Sequence, residues 1–544
     1  MKKITALFLC FILIATLSLS ACNTTTPPSD GSPGASSSPS PSSNGSSSSD
    51  SSPSESVSEP GIVRFFAYDA RGEVNYDQGL PVIVEIEKRL NVKFEWEIMS
   101  YNSYEEALSI KLAAGSDMPD MFYSWLLNPD VLAMNNAIIP LSDYFDSYMS
   151  DAGAVVAANP DLRAQITSPD GKIYFLPDFY DKTRVNNGWL VRQDWMEKLN
   201  IPDPQTPEDV YQMLKAFKEQ DPNGNGQRDE IPLNFAYLNY MWMMTYQWWG
   251  IQAIAPWNWM AIDGSRLYSY VTEPAFRDCI EWLSRCYADG LINQDVLNVV
   301  DADYTGAIYD NRAGLFFGGF SNMYTDNILL SHPDSGAELK IMMPPKAPGA
   351  KTTGIRVYGN TNGTYFISAA GKNPTDAMRV MNFVFGTDEG RFLQRAGIEG
   401  LTYILKNGDP YPTDDVLNPP AGKTSIDVLY DVGVDMVMAS SFTPRLIAFS
   451  DALGGASQWI LDGKKMLADN LDLSPEMSLR FTDEEVILTT EIHADIDTYI
   501  TETLANIIVG KGTMADFDNM VAYVKDKGID RIVAVYQAAY DRAN

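Results

Sequence analysis

Between residues 221 and 232 the chain reads Asp-Pro-Asn-Gly-Asn-Gly-Gln-Arg-Asp-Glu-Ile-Pro. Counting Asp221 as position one, side-chain oxygens fall at positions one, three, five and nine: Asp221, Asn223, Asn225 and Asp229. Gly226 permits a tight turn at position six, and Gln227 can offer its carbonyl at position seven. This is the first nine positions of a helix–calcium loop. Pro232 stands where the twelfth-position Glu is normally found, and no second helix follows, so a complete EF-hand is excluded. Glu230 can supply the bidentate carboxylate by a different turn of the chain. Three carboxylates with neutral oxygens suit Ca2+, a hard cation bound at about 2.3–2.6 Å. The alternative is a metal-free surface turn of Asn, Gly and Asp. Other chemistries have little support. There is no Gly-x-Ser-x-Gly elbow, no His-Glu-x-x-His motif and no P-loop, and the only histidines are His332 and His493. A glycosidase needs two suitably spaced carboxyl groups; with 71 acidic residues a pair such as Asp178 and Asp181 can always be named, so such pairing carries no weight. The chain reads as a non-enzyme.

The elements around this loop alternate. Ile62–Phe66 reads as a strand, Pro81–Leu90 as a helix, Val92–Ile98 as a strand, Tyr104–Ala114 as a helix and Asp120–Tyr123 as a strand. A second series holds a strand at Leu190-Val191, helices Gln193–Leu199 and Pro207–Lys218, the strand Ala313–Phe317, the strand Gly363–Ser368 and the helix Pro374–Phe385. Thr206-Pro207-Glu208-Asp209 is a helix start, with Thr at the cap and Pro in the first turn. The tail, Glu491–Tyr540, carries two or three amphipathic helices. Alternation of this kind argues for an α/β fold with a mostly parallel sheet covered on both faces. Ligands of such sheets sit outside the carboxyl ends of strands. That places Tyr68 and Asp69, after the first strand, and Trp125, after Asp120–Tyr123, at a candidate ligand edge.

The first residues determine where the chain works. Lys2 and Lys3 precede an apolar run from Ile4 to Leu17, the pattern of a secretory signal, too short to span a bilayer. Leu19-Ser20-Ala21-Cys22 resembles the lipobox of bacterial lipoproteins, so residues 1–22 are expected to end in a lipidated Cys22. Two acyl chains give stable anchoring where one does not. In the linker 23–61, the 38 residues from Asn23 to Pro60 include 17 Ser and 7 Pro and no aromatic residue, so they bury too little to offset ordering entropy. As a coil such a tether reaches on the order of 35 Å, a length that suits the thick wall of a Gram-positive surface. The expected location is the outer face of the cytoplasmic membrane, with membrane contact through the lipid only. The chain is acidic, with 40 Lys and Arg against 71 Asp and Glu, a formal charge of −31. That disfavours nucleic acid and polyanionic ligands. Cys279 and Cys286 lie seven apart in one predicted helix, about 10.5 Å along its axis, too far for a disulfide. They are expected as buried free thiols.

Four segments together resemble the large extracellular solute-binding lipoproteins, family 1, that serve ABC importers of oligosaccharides. They are Ala113-Ala114-Gly115-Ser116-Asp117-Met118-Pro119-Asp120, Gly171-Lys172-Ile173-Tyr174-Phe175-Leu176-Pro177, Val191-Arg192-Gln193-Asp194-Trp195, and Gly397-Ile398-Glu399-Gly400. The loop at Asp221 is also similar to the calcium site of the alginate-binding members. The resemblance covers 62–544. It implies a periplasmic-binding-protein-like α/β fold with two discontinuous lobes, a cleft and a helical C-terminal region. Lobe 1 would be 62–185 with 358–405, and lobe 2 would be 186–357 with 406–544, carrying the calcium loop 221–232. It further implies a monomer that closes over an oligosaccharide and delivers it to the transmembrane subunits of an ABC permease. The rivals are an extracellular carbohydrate-active enzyme and a non-catalytic adhesion lipoprotein, the latter without a closing cleft.

Under that reading the aromatic residues acquire a use. Sugars present apolar C–H faces and polar rims, which flat rings flanked by hydrogen-bonding groups can receive. Trp248, Trp249, Trp257 and Trp259 fall in one short stretch, the last two in a Pro-Trp-Asn-Trp loop. A run so rich in Trp is equally suited to a core. Trp189, at the first expected crossing between lobes, and the polar residues Arg184, Arg356 and Glu399 complete the candidate ligand set.

Overall fold

Nine strands form two separate sheets: β1 (Gly61–Asp69), β2 (Val92–Ser100), β3 (Met121–Ser124), β4 (Phe175–Phe179), β5 (Asn187–Arg192), β6 (Ile231–Asn234), β7 (Ala313–Gly319), β8 (Leu339–Ile341) and β9 (Thr361–Ile367). The computed structural model describes residues 59–69, 76, 79–179, 185, 187–299, 301–357, 361–435, 443–453, 457–475, 477 and 479–543. Cys22, the tether to residue 58 and Arg184 lie outside the described residues, as do the side chains of Asp69 and Arg356. The first sheet has the order β2-β1-β3-β9-β4 and the second β8-β5-β7-β6. Both sheets are mixed, where a mostly parallel sheet was the expectation. β1 runs parallel to β2 and β3, but β9 is antiparallel to β3 and β4. β7 is parallel to β6 and antiparallel to β5, and β8 is antiparallel to β5. The reason is connectivity. The chain leaves the first sheet after β4 and comes back to it only at β9, so β9 enters at the edge where the other strands end.

Two apolar cores surround the two sheets. One gathers Phe65, Phe66, Phe122, Phe175, Phe366 and their neighbours. The other gathers Trp189, Trp195, Phe217, Trp248, Leu315 and the inner faces of the C-terminal helices Asp483–Ile508, Met514–Lys527 and Ile529–Ala543. A smaller cluster including Leu190, Phe316 and Ile460 covers the opposite face of the second sheet. The expected lobe boundary at 405 is corrected here. Val416, Leu429, Val434 and Phe449 are buried in the first core, so 406–435 and 443–453 belong with 61–69, 79–179 and 361–405. The hairpin Tyr403–Lys406/Asp409–Pro412 holds this segment to the first half, with the Arg445 guanidinium reaching Asp388 at 2.6 Å and Asp409 at 2.8 Å. Cys279 and Cys286 are buried free thiols on the helix Pro274–Ala288, and burial pushes Cys279 up to about 12.

The segments that carried the resemblance turn out to close the frame. Gly115 ends the helix Tyr101–Ala114 in the left-handed region at φ 61°, where a side chain would be strained. Asp120 is fully buried. Its carboxylate accepts the backbone N–H of Arg64 at 2.8 Å and of Asn373 at 2.7 Å, tying β1 to the start of the helix Pro374–Gly386. Arg192, 1 % exposed, is held by Asp194 at 2.8 Å and lies 4.5 Å from the Trp195 ring. Thr206 and Asp209 form the reciprocal cap of Pro207–Glu219. Between the halves, Asp130 accepts the Ser168 hydroxyl at 2.7 Å and the Phe481 N–H at 3.2 Å, just before the first C-terminal helix begins. Asp120→Ala leaves two buried N–H donors without partners, at about 1–3 kcal/mol each. It should lower the unfolding free energy by roughly 2–5 kcal/mol, whereas Asp120→Asn, which keeps one acceptor oxygen, should cost about half as much. Chemical denaturation monitored by circular dichroism measures both.

Candidate functional site

The carboxyl ends of β1, β3 and β4 and the start of β9 share one edge of the first sheet. Side chains gather there because the strand register brings them together: Tyr365 stands opposite Tyr123 and Leu176. The Tyr68 ring meets Trp125 edge-on at 5.2 Å and Tyr123 at 5.7 Å, and Tyr123 lies 4.7 Å from Tyr365. Behind them Tyr104, fully buried, stacks on Trp125 at 5.7 Å and engages the carbonyls of Phe66 (3.0 Å) and Tyr123 (2.7 Å). Burial raises its phenol far above the ordinary value. The backbone turns after β3 because Glu105 accepts the Ser124 hydroxyl at 2.9 Å and the Trp125 N–H at 2.9 Å. Burial raises that carboxyl, and the hydrogen bonds oppose the rise. Beside this wall Arg395 donates to Asp178 at 2.6 Å and to Asp435 at 2.8 Å.

The second sheet has an edge of its own where Asn187 and Gly188 at the start of β5 pair with Gly319 and Gly318 at the end of β7. After β6 come Tyr237 and Tyr240, half-buried and edge-to-face at 5.0 Å. Phe317 of β7 is half-buried in front of Trp189, their rings 5.5 Å apart. The expected candidates therefore divide. Tyr68 and Trp125 come together on the first edge, and Asp69 ends the same strand. Trp189 and Trp248 do not reach a surface: they are 1 % and 0 % exposed and touch each other at 4.9 Å within the core. Trp249 packs at the margin of that core, against Trp282 at 6.0 Å. The Pro-Trp-Asn-Trp turn sits in a hairpin between strands Ala253–Ala255 and Met260–Asp263. It is fastened to the C-terminal helices by Trp259 Nε1, which donates to Asp497 at 2.9 Å, and by Asn258, which bonds Tyr536. Trp259 is 5 % exposed and serves packing, while Trp257 is 51 % exposed. Arg356 lies in strand Gly354–Val357, paired with Asp472–Pro475. Glu399 is exposed in the turn after helix Asp388–Ala396, a turn held by Thr402, whose hydroxyl bonds Ala396 O at 2.6 Å.

Tyr123, Tyr365, Tyr237, Tyr240, Asp178 and Arg395 were not among the sequence candidates. The carboxyl-end rule reaches Tyr237 and Tyr240 once Ile231–Asn234 is taken as a strand. Tyr365 needs the antiparallel return of β9, which no local pattern gives.

The loop at Asp221 is wound around its own side chains. Asp221 Oδ2 accepts the Gly226 N–H at 3.0 Å, Asn223 Oδ1 that of Asn225 at 3.1 Å, and Asn225 Oδ1 that of Gln227 at 2.7 Å. Asp229 accepts the Asn225 amide at 3.0 Å and the Asn223 amide at 3.2 Å. Asp221 Oδ1 and both carboxylate oxygens of Glu230 are instead buried with no hydrogen-bond partner. Burial raises the Glu230 carboxyl above its ordinary range; the nearby backbone of Glu230 and Asn223 opposes the rise, and the charges of Asp221 and Asp229 add to it. Among the described residues no three His, Cys, Asp or Glu side chains are grouped as a metal cage. Asp221, Asp229 and Glu230 thus do not converge as a three-carboxylate cage, and what points to a cation is the orphaned oxygens of Asp221 and Glu230. Buried anionic oxygens without partners are costly, and a hard cation is the group that answers that cost. The residues fit it.

The family model for bacterial extracellular solute-binding proteins matches residues 77–391. The fructooligosaccharide ABC transporter substrate-binding protein FusA of Streptococcus pneumoniae serotype 4 is 23% identical over 500 residues, 85% of this chain and 86% of the relative. The polygalacturonan/rhamnogalacturonan-binding protein YtcQ of Bacillus subtilis is 22% identical over 475 residues, 85% of this chain and 88% of the relative. Among solved structures, the alginate-binding protein AlgQ2 without calcium ion superimposes with a TM-score of 0.76 at 24% identity, covering 89% of this chain and 98% of that one. An EF-hand mutant of FusA in complex with fructo-nystose gives 0.72 at 18%, covering 88% and 99%. The family match spans more than half of the sequence, and the two-sheet fold agrees with it: the chain belongs to the bacterial extracellular solute-binding proteins.

Proposed function

We propose that this protein is the lipid-anchored substrate-binding component of an ABC transporter, capturing an oligosaccharide between its two halves and delivering it to a membrane permease. The observation that carries this reading is the aromatic edge of the first sheet, Tyr68, Tyr123, Trp125 and Tyr365, together with the aromatic group Tyr237, Tyr240 and Phe317 at an edge of the second sheet. Half-buried rings with hydroxyls and carboxylates at their margins suit a sugar's apolar faces and polar rim. FusA and YtcQ, whose names state oligosaccharide or polysaccharide binding, support the same class. The reading needs no catalytic step. Ligand would bias an open–closed balance through its differential affinity for the closed form. Lipid on Cys22 and the Ser/Pro tether would hold this monomeric binder at the outer membrane face, near the permease, and raise the effective concentration for docking.

We further assign Ca2+ to Asp221, Asn223, Asn225, Gln227, Asp229 and Glu230. AlgQ2, described without calcium ion, and the FusA EF-hand mutant support this assignment. The loop lies before β6, so the ion's contribution would be to neutralise buried carboxylates and brace the second half.

Two outcomes follow. Trp125→Ala should weaken oligosaccharide binding about tenfold or more, since ring stacking and the area it buries exceed about 1.4 kcal/mol. Trp248→Ala should instead cost about 3–5 kcal/mol of stability, with Trp257→Ala nearly silent in folding; titration calorimetry and denaturation separate these. For the metal, saturating Ca2+ at about 100 times its Kd adds roughly 2.7 kcal/mol, and a chelator removes it. Glu230→Gln should raise the stability of the chelated protein, by removing a charge that burial penalises, while reducing the gain from Ca2+. Calorimetric scans with Ca2+ and with chelator read both effects, and an unchanged gain in Asp221→Ala would refute the assignment.

A further inference from the structure

Three successive backbone N–H groups at the end of β3 end on one pair of side chains, Glu105 and Ser124. The Trp125 N–H goes to Glu105 Oε1 at 2.9 Å, and those of Leu126 and Leu127 go to the Ser124 hydroxyl oxygen at 3.1 and 2.9 Å. Ser124 is fully buried, and a hydroxyl has one donor and two acceptor positions. With both acceptor positions taken, its single proton has to be given away. Glu105 receives it, at 3.0 Å on Oε1 and 2.9 Å on Oε2. Hydroxyl and carboxylate thus form a one-way chain that only an acceptor at position 105 completes.

What this chain of bonds holds is the backbone that carries the Trp125 ring. The two ends of the turn are pinned separately: the Ser124 carbonyl accepts the Thr364 hydroxyl at 2.8 Å, and Asn128 caps helix Pro129–Met134 by taking the Asp130 N–H at 2.9 Å. Between these pins, residues 125–127 rest on Glu105. The preceding residue, Tyr104, stacks on Trp125 at 5.7 Å, so one turn of helix Tyr101–Ala114 sets both the ring and its backbone. A hydrogen bond to an ionised acceptor is roughly twice as strong as a neutral one. A neutral carboxyl also brings a donor to a hydroxyl that has no acceptor position left, so protonation weakens the hold.

Glu105 is half-buried, and burial raises its carboxyl above the ordinary glutamate range while the hydrogen bonds from Trp125, Ser124 and Leu126 oppose the rise. Among the described residues no neighbouring charge contributes to that shift. The titratable side chains packed around the turn are phenols, Tyr104 of its own helix, Tyr68 of β1 and Tyr123 of β3, and a phenol ordinarily ionises near about pH 10. An acid raised in the folded state costs stability while it is ionised, and that cost is relieved as pH falls through the raised value. A carboxylate kept at a cost to folding, directly behind a ligand-facing ring, points to a use in binding. We propose that Glu105 is the positioning residue for Trp125 and makes ligand capture pH-dependent: ionised, it holds the ring in its binding orientation, and protonated, it lets the turn loosen and affinity fall. The proposal rests on the oligosaccharide reading above and deepens it.

The test is titration calorimetry of the full mature chain, in saturating Ca2+, with maltotetraose, cellotetraose, xylotetraose, nystose and tetragalacturonate. The tightest probe is then followed from about pH 7.5 down to about pH 4.5, just above the ordinary glutamate value. Glu105→Gln is the neutral mimic, and Glu106→Gln, exposed on the same helix, is the control. Wild-type affinity should fall about threefold or more on acidification, whereas Glu105→Gln should bind about fivefold more weakly at neutral pH and stay level. The thermal midpoint of Glu105→Gln at neutral pH should be no lower than wild type, and Glu106→Gln should follow wild type throughout. Wild-type affinity in Glu105→Gln, a wild-type affinity that stays level across the range, or the same acid loss in both proteins would each overturn the proposal. So would a weaker Glu105→Gln whose thermal midpoint falls with its affinity, since that is a folding role alone. Each of these leaves the oligosaccharide reading standing, because a probe still binds. Failure of every probe, or binding unchanged in Trp125→Ala, would overturn that reading of the aromatic edge and the proposal with it.

Discussion

The apolar side chains of this protein are buried around two sheets that never merge, and most of its organisation follows from that division. Each sheet is closed by its own buried charged group: Asp120 closes the first around β1 and β3, and Arg192 with Asp194 and Trp195 closes the second. Hydrophobic burial is completed largely inside each half, in two cores that share no residue, and the surface between them is left to other contacts. It carries half-buried tyrosines, small polar residues and paired charges, which water or a polar solute can meet equally well. Contacts across the division include one at Asp130, where one carboxylate serves Ser168 of its own half and Phe481 of the other, and one at Arg480, whose guanidinium lies 5.0 Å from the Phe175 ring. Such an arrangement resists separation without imposing a single spacing.

The sheets also determine what kind of residue can reach that surface. Strands bring their carboxyl ends to one edge, and a return strand from the second half threads Tyr365 among them. Glu105 then holds the turn that presents Trp125. Carboxylates, not cations, provide most of the fixed polarity nearby, with Arg395 neutralised on both sides. The loop at Asp221 works in the opposite sense. Its unpartnered carboxylate oxygens are an unbalanced buried charge that a cation would offset locally.

Much of the frame was legible in the sequence because it depends on local rules. The helix at Pro81–Leu90 and the Thr206 cap follow from proline, capping and periodicity, and they stand where those rules put them. The segments shared with the family were readable for a related reason: Gly115, Asp120 and Arg192 meet backbone or burial demands that few other residues meet. The ligand candidates fared differently. Tyr68 and Trp125 follow strands and could be found by position. The Trp-rich stretch misled, because a large ring satisfies a core as readily as a sugar, and only the tertiary structure shows Trp189 and Trp248 enclosed and Trp259 bonded to Asp497. The assignment of 406–435 and 443–453 to the first half depends on long-range packing of Val416 and Phe449, which no local pattern announces.

Small-angle X-ray scattering of the mature protein, with and without a saturating bound oligosaccharide, tests the account at its centre. Two independently closed cores with a polar division between them should draw together on the ligand, so the radius of gyration should fall on saturation while secondary structure stays constant. An identical scattering curve with demonstrably bound sugar would contradict the account, and would mean that the solute is held by one half alone.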